Sequence, residues 1–516
     1  MYIGKCLIIK TLFIMKKIYL SIIALMFVLI AYAQTVENVE GYYYLVSPNA
    51  QYYAGAQEGS TAFRYSLAIK GENRIDPEGD FGFKPNAIAN DGTVAGSYGF
   101  KAALWVEENN YEYLPLPEGL SELEEATNDA VAISTDARQI VVAMNADAPK
   151  SYYVYTLKED GLYDMVKLPM PEKDPIYGMY AQWIGVKDMS LDGNTLIGFF
   201  LTDDGMRQLP MIWRRVDGVW SYEFFGLDVC LQEGKTIPPF PYEKGYVDSD
   251  GSLSLPYDVW EEWTTAQYEA ETGYYYQAKG MSMSGNGRYV ALNMGIQLPG
   301  EAYGIVYAAA YDLEKDTVVV FQNIQNATSL SVNDKGEVIV GTPAADSFRW
   351  SYVISIDTPN KAQTLTEWLK KRTGGVIDLA DYMTYPFDEY EENAVVVAEG
   401  TAYWAKEGNG LVTYMYDVFG TGAFESFFIE FGEEQPVDAP VVNMSDLQIY
   451  PNPTSGLLNV SKVMEDVEIY DVIGRKVYTC AAIENCIDLS DLHAGQYFLV
   501  ATVEGQRIST KIMIQK

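Results

Sequence analysis

The stretch Asn86-Ala-Ile-Ala-Asn-Asp-Gly-Thr-Val-Ala-Gly-Ser97, followed by Lys101-Ala-Ala-Leu-Trp105, decides the fold. It reads as two short apolar strands pinched by an Asn90-Asp91-Gly92 turn, with a third strand ending in Trp105. Asp and Asn beside Gly supply the positive φ that a tight hairpin needs. Small and β-branched residues pack the strand faces, and the terminal aromatic fills the gap to the next sheet.

The pattern recurs along the chain. Tyr53-Ala-Gly55 precedes Thr61-Ala-Phe-Arg-Tyr65, Leu196-Ile-Gly198 precedes Leu209-Pro-Met-Ile-Trp213, and Ile339-Val-Gly341 precedes Asp346-Ser-Phe-Arg-Trp350. In chain order, with the opening stretch second, the Gly-to-aromatic separations are 10, 9, 15 and 9 residues. Turns precede the glycines at Leu191-Asp192-Gly193 and Asn333-Asp334-Lys335-Gly336. More worn copies carry Ser134-Thr-Asp136 before Ile140-Val-Val142 and Ser284-Gly-Asn-Gly287 before Tyr289-Val-Ala291. A late copy pairs Val395-Val-Val397 with Thr401-Ala-Tyr-Trp404. Two copies share a tail, Leu114-Pro-Leu-Pro117 and Leu168-Pro-Met-Pro171. Turn-to-turn distances of 45 (Asp91 to Asp136), 56 (Asp136 to Asp192) and 49 (Asn286 to Lys335) match the period of a four-stranded propeller blade. One blade cannot bury both faces, so the copies must stack and close. The expected fold class is all-β: a six- or seven-bladed β-propeller over 34–430, followed by a small C-terminal β-sandwich.

These copies resemble the extracellular HAF-type repeat, Ala-Ile-Asn-x-x-Gly-x-Val-x-Gly then His-Ala-Phe-x-Trp, over about 85–405. The His is absent from every copy, with Lys101, Thr61 and Ser347 standing nearby. The resemblance implies a propeller and no particular activity. Gln363-Thr-Leu-Thr-Glu-Trp-Leu-Lys-Lys-Arg372 interrupts the strands as a short helix with Leu365, Trp368 and Leu369 on one face.

The totals narrow the chemistry. Among 516 residues, 36 Lys and Arg face 71 Asp and Glu, a formal charge of −35. Residues 1–33 hold four Lys and no acid, so removing them takes the charge to −39. Such a charge repels nucleic acid and anionic membrane surfaces and favours cationic ligands. The single His, His493, excludes a Ser-His-Asp triad or a His-based zinc site from the first 492 residues.

Residues 15–33 read as a secretory signal peptide: Lys16-Lys17, the apolar run Ile18 to Ile30, then Ala31-Tyr32-Ala33 before Gln34. This expects the true start at Met15, with an N-terminal anchor as the alternative. No Cys stands directly after the cleavage point, which argues against a lipoprotein.

An insertion over 230–276, placed between the third and later blades, holds Pro238-Pro-Phe-Pro241, Trp260-Glu-Glu-Trp263 and Tyr274-Tyr-Tyr276. Long loops at one end of a propeller are where ligands dock. Trp260, Trp263, Tyr274, Tyr275 and Tyr276 are therefore candidate contacts for a glycan or peptide, against the alternative that they pin the insertion to the blade rim. Asp248-Ser-Asp250-Gly251 suggests part of a calcium site, yet Tyr246 and Tyr257 stand where an EF-hand needs ligands, so an Asx turn is the favoured reading. The pairs Glu261 with Glu262, and Asp388 with Glu389 and Glu391, suggest a glycosidase-like acid and base only weakly. Charge runs of this kind are usually solvated, and no catalytic residue is assigned.

After an acidic linker over 431–445, the chain changes character. Leu447-Gln-Ile-Tyr-Pro-Asn-Pro-Thr-Ser-Gly456 opens a compact segment. Val467-Glu-Ile-Tyr-Asp-Val-Ile-Gly-Arg-Lys-Val477 and Ile487-Asp-Leu-Ser-Asp-Leu-His-Ala-Gly-Gln-Tyr-Phe498 follow. Residues 446–516 closely resemble the C-terminal sorting domain of type IX secretion cargo, through Tyr450, Pro451, Asn452, Pro453, Gly456, Gly474, Gly495 and Tyr497. The resemblance implies handling by the type IX machinery and export across the outer membrane of a Gram-negative cell. Attachment to surface lipopolysaccharide, or release, often follows in that family. Cys480 and Cys486 flank an expected hairpin and are a candidate disulfide in the oxidising envelope, leaving Cys230 over.

The sequence thus points to a secreted or surface-displayed propeller that binds a glycan or peptide without catalysis. The alternatives are an extracellular hydrolase or lyase using carboxylate or Tyr chemistry, and a structural surface-layer component.

Overall fold

The computed structural model describes residues 35–515 apart from 57–60, 77, 79–81, 109, 119, 121–126, 146–149, 250–252, 297–304, 344–348, 380–401, 417–423, 431–448, 472–474, 484 and 504–505. The leader, the linker, Asp250, Gly474, Asp388, Glu389, Glu391 and Val395–Val397 lie outside the described residues. Two compact units divide the chain at residues 433 and 434.

The first unit is a ring of seven four-stranded antiparallel blades. Their innermost strands are Leu45–Val46, Phe83–Ile88, Asn128–Ile133, Ala181–Met189, Tyr274–Met283, Thr328–Val332 and Ala402–Trp404. Each contacts the next in cyclic order, and the last contacts the first. Blade 7 is completed from the other end of the chain: Thr35–Glu40 pairs antiparallel with Phe424–Glu430 as its outermost strand. Ala402–Trp404, from the late repeat, is that blade's inner strand.

Apolar clusters fill the space between successive blades. Tyr53 stacks on Phe428 with ring centroids 3.8 Å apart, joining blade 1 to blade 7. In blades 2 and 4 the repeat aromatics Trp105 and Trp213 are fully buried on the third strands. The worn third copy uses Tyr155 at the same register, opposite Ile140 as Trp105 is opposite Val94. The shared Leu-Pro-x-Pro tails now have a purpose. Tyr155 Oη donates to the Pro115 carbonyl at 2.8 Å, and Trp213 Nε1 donates to the Pro169 carbonyl at 2.9 Å. Each tail thus satisfies the polar atom of the next blade's buried aromatic, which would otherwise lose its water partners uncompensated.

The repeat turns behave as their residues require. Gly92 and Gly193 sit at φ +86° and +70°, and Thr93 N donates to Asp91 Oδ1 at 2.8 Å. Neighbouring turns bond to one another: Asn49 N to Asn90 Oδ1 (2.8 Å), Asn90 N to the Thr135 carbonyl (3.0 Å), Thr135 Oγ1 to the Leu191 carbonyl (2.9 Å). Leu191 N to the Gly285 carbonyl (2.9 Å) and Glu407 N to the Pro48 carbonyl (2.9 Å) continue the series.

The structure places the insertion after the fourth blade, between Val219–Phe224 and Tyr274–Met283. The copy around Asp136 forms a complete blade of its own, which moves the insertion one blade later than expected. The expected short helix is present as Leu365–Arg372, begun by a capping box of Thr364 and Glu367.

The second unit packs a three-stranded sheet (Ile449–Tyr450, Leu457–Val460, Cys486–Asp488) on a four-stranded one (Lys476–Ile483, Met464–Asp471, Gly495–Val503, Gln506–Ile514). Leu458, Val467, Ile469, Leu499 and Ile512 form the shared core of this sandwich. Cys480 and Cys486 are free, against expectation. They do not face each other across one hairpin, because their strands belong to different sheets.

Candidate functional site

The second glycine of the repeat lets the inner-strand backbone come close. A Cβ on Gly55, Gly96 or Gly198 would lie 1.9, 2.0 or 1.9 Å from the carbonyl oxygens of Tyr42, Lys84 and Gly185. Only glycine allows that approach. The approach accompanies a bulge in the inner strand, between Pro85 and Ala87 in blade 2 and between Val186 and Asp188 in blade 4. Blades 3 and 6 bulge at the matching place, between Ala130 and Ala132 and between Ser329 and Ser331. A bulge re-aims one side chain out of the alternating pattern. The re-aimed residues Asn86, Val131, Lys187 and Leu330 all line a cavity of about 400 Å³ on the axis, to which every blade contributes.

Charge in this channel comes from few residues. Lys406, in the turn of blade 7, crosses the channel to donate to Asp188 Oδ1 and the Met189 carbonyl of blade 4. Asp188 Oδ2 also accepts from Met283 N at 2.8 Å, so its carboxylate is held from two sides. Lys187 is exposed to water at the channel wall; the surrounding protein, then the charge of Lys84, pulls its pKa below the ordinary lysine value. Lys84 itself lies 3.5 Å from Asp129 Oδ2, and Asn86 Nδ2 donates to Asp129 Oδ1 at 2.6 Å.

The insertion lies at the end of the propeller where the inner strands begin. Its helix Tyr257–Ala270 was not anticipated, although Trp263, Gln267 and Ala270 repeat at helical spacing, and these are its buried residues. Trp263 Nε1 donates to the Pro238 carbonyl at 2.9 Å, and Phe240 packs edge-on against the Trp263 ring at 5.1 Å. Tyr242 Oη donates to Asp203 and accepts from Tyr180 N, which ties the insertion to blade 4. Of the five aromatic candidates, Trp263 and Tyr276 are buried, with Tyr276 Oη donating to the Gly226 carbonyl at 2.8 Å. Tyr274 and Tyr275 are half-buried, and the Tyr275 ring fills the space beside Gly295. Trp260 is 49% exposed, and Tyr257 and Tyr268, which were not singled out, are 72% and 74% exposed on the same helix. Glu261 and Glu262 are exposed on that helix, about 100° apart around its axis. Asp248 accepts a hydrogen bond from the Ser254 hydroxyl, as an ordinary turn residue does. Among the described residues no group of three or more His, Cys, Asp or Glu is placed to hold a metal ion. Burial first, then Glu271 and Asp228, pushes the Cys230 thiol up to about 12, so it stays protonated at neutral pH.

In the second unit the opening motif is fixed to the last strand. Asn452 Nδ2 donates to the Lys511 carbonyl at 2.8 Å, and Met513 N donates to Asn452 Oδ1 at 2.9 Å. Gly456 sits at φ +146°, where a Cβ would meet Ser490 Oγ at 2.5 Å. Tyr497 Oη donates to the His493 carbonyl at 3.0 Å. Residues 448–515 match the family of secretion system C-terminal sorting domains. The C-terminal unit is a type IX sorting domain. The chain therefore carries the signal that the type IX machinery reads, and the sorting domain directs it to the cell surface or beyond.

Outside the sorting domain the likenesses are of fold. A comparison with curated proteins finds no match. Similar solved structures include TolB from Acinetobacter baumannii, at 11% identity and TM-score 0.32, covering 63% of this chain and 65% of that one. An oligogalacturonate lyase in complex with manganese is 9% identical with TM-score 0.40, over 77% of this chain and 91% of its own. The WD40 domain of SCAP from fission yeast is 9% identical with TM-score 0.35, over 78% and 98%.

Proposed function

We propose that this protein is a non-catalytic binding platform, exported through the outer membrane of a Gram-negative cell and holding a glycan or peptide outside it. The observation that supports this is the outer face of the helix Tyr257–Ala270, where Tyr257, Trp260 and Tyr268 are exposed together. Tyr and Trp offer rigid contact area at low entropy cost, and their ring faces stack on sugar rings or peptide bonds. The buried half of the same helix, anchored by Trp263, fixes that face in place, so little ordering remains to be done on binding.

The test is to pass mixed glycan and peptide libraries over the purified full chain and record by mass spectrometry what is retained and what is altered. Retention without chemical change is expected, with the Trp260→Ala variant losing about 1–3 kcal/mol of binding, the usual worth of a stacked aromatic contact. Turnover of any library member would replace this reading with the hydrolase or lyase alternative.

A further inference from the structure

The turns align the seven blades. In each, the first turn residue donates its N–H to a carbonyl across the hairpin, Ser47 to Tyr52 in blade 1 and Ala89 to Thr93 in blade 2. Two residues past that carbonyl, the second strand pairs with one position of the third. The position holds Leu104, Val154, Ile212, Ala310, Val353 and Phe428 in blades 2 to 7, all apolar and buried. In blade 1 it holds Arg64, paired with Ala54 and only 7% exposed. A guanidinium thus stands where the fold otherwise takes a hydrocarbon, and burying it costs solvation unless its N–H groups find partners.

The protein meets only part of that cost. Arg64 reaches into blade 2, where Nη1 donates to the Gly92, Trp105 and Val106 carbonyls at 3.0, 3.3 and 3.4 Å. Its guanidinium lies 4.9 Å from the centre of the Trp105 ring. Among the described residues Nε and Nη2 have no hydrogen-bond partner, and no carboxylate forms an ion pair with Arg64. Arg64 lines a cleft of about 700 Å³ between blades 1 and 2, at the turn end of the ring. Asn73 pairs opposite Arg64, Ser66 is two residues further along, and Tyr52 pairs opposite Ser66. All four side chains therefore leave the same face of blade 1, and all four residues line the cleft. Among the described residues the Tyr52 and Ser66 hydroxyls and the Asn73 amide are also without partners. On the blade 2 side, Asp91 Oδ1 accepts from Thr93 N and Oδ2 stays open, while Glu107 and Glu108 are exposed. Ile69 adds an exposed apolar side chain to the blade 1 wall.

This lining disfavours simple ions. An anion at Arg64 meets three carboxylates, and a cation at those carboxylates meets the guanidinium. The other partnerless groups are neutral, two hydroxyls and an amide. A sugar hydroxyl donates and accepts at once, so one ring can take the free N–H groups of Arg64 and Asn73, give to Asp91 Oδ2, and lay its C–H face on Ile69. We infer that the cleft between blades 1 and 2 binds a neutral sugar residue, with Arg64 and Asn73 as donors and Asp91 as acceptor. The site lies at the opposite end of the ring from the aromatic helix face and does not depend on it.

Calorimetric titration of the full chain with the methyl glycosides of glucose, galactose, mannose and N-acetylglucosamine tests the inference, with glucuronic acid and glycine as anionic and zwitterionic counterparts. At least one neutral glycoside is expected to bind, and both charged probes at least tenfold more weakly. Tyr52→Phe and Asn73→Ala, which each remove a polar group that bonds to nothing in the protein, are expected to weaken binding several-fold and leave the denaturation midpoint in place. Arg64→Gln is expected to weaken it at least tenfold, and Trp260→Ala to leave it unchanged. No binding of any neutral glycoside, tighter binding of glucuronic acid or glycine, or unchanged binding in both Tyr52→Phe and Asn73→Ala would overturn the inference. Library retention that is lost in Trp260→Ala keeps the platform reading intact whichever way this test falls.

Discussion

At the residue scale, one glycine per well-kept repeat does more than make a turn. Gly96 and Gly198 stand opposite the inner-strand bulge, and the carbonyls of Lys84 and Gly185 occupy the space a side chain would need. Replacing Gly198 by Ala forces that backbone apart. The expected cost is about 1–3 kcal/mol, as for other overpacked sites, read as a lower denaturation midpoint. An unchanged midpoint would mean the bulge is not fixed by this contact. The glycine itself was legible in the sequence, as part of the Val-Ala-Gly and Leu-Ile-Gly strings. The bulge was not, because it is a register shift between two strands and leaves no mark in either strand's composition. Lys187 was missed for the same reason: without the bulge it reads as an ordinary polar residue on an alternating strand.

At the element scale, the sequence showed the repeat unit but not how the ring closes. Thr35–Glu40 carries no repeat motif, yet it forms the last strand of blade 7 against Phe424–Glu430. Its pairing partner is nearly 400 residues away, a separation that local pattern cannot reveal. Without this strand, Phe424–Glu430 becomes an open edge beside the buried Phe427, Phe428 and Ile429. Unpaired edges of that kind recruit other chains. A chain lacking 35–40 is expected to unfold at lower denaturant and to self-associate, seen by light scattering; monomeric protein of unchanged stability would show that the ring closes without it. The insertion helix is the other missed element. Trp260-Glu-Glu-Trp263 read as a loop because Pro, Tyr and acidic residues surround it, and the helical spacing of Trp263, Gln267 and Ala270 was too short a signal to outweigh them.

At the scale of the whole molecule, two compact units divide the work. The propeller offers a channel and an aromatic helix face; the sorting domain decides where they are presented. The sorting domain was the most legible part of the sequence, because its motif residues are set by contacts within one short segment. Asn452 bonding to Lys511 and Met513 is such a case. The propeller's sites were least legible, since their side chains are assembled from blades far apart in sequence. Cellular fractionation of the native host, comparing the full chain with one ending at residue 433, tests the central claim most directly. The account predicts the full chain on the surface or in the medium, and the shortened chain retained in the periplasm with its propeller still protease-resistant. Equal export of both would contradict it.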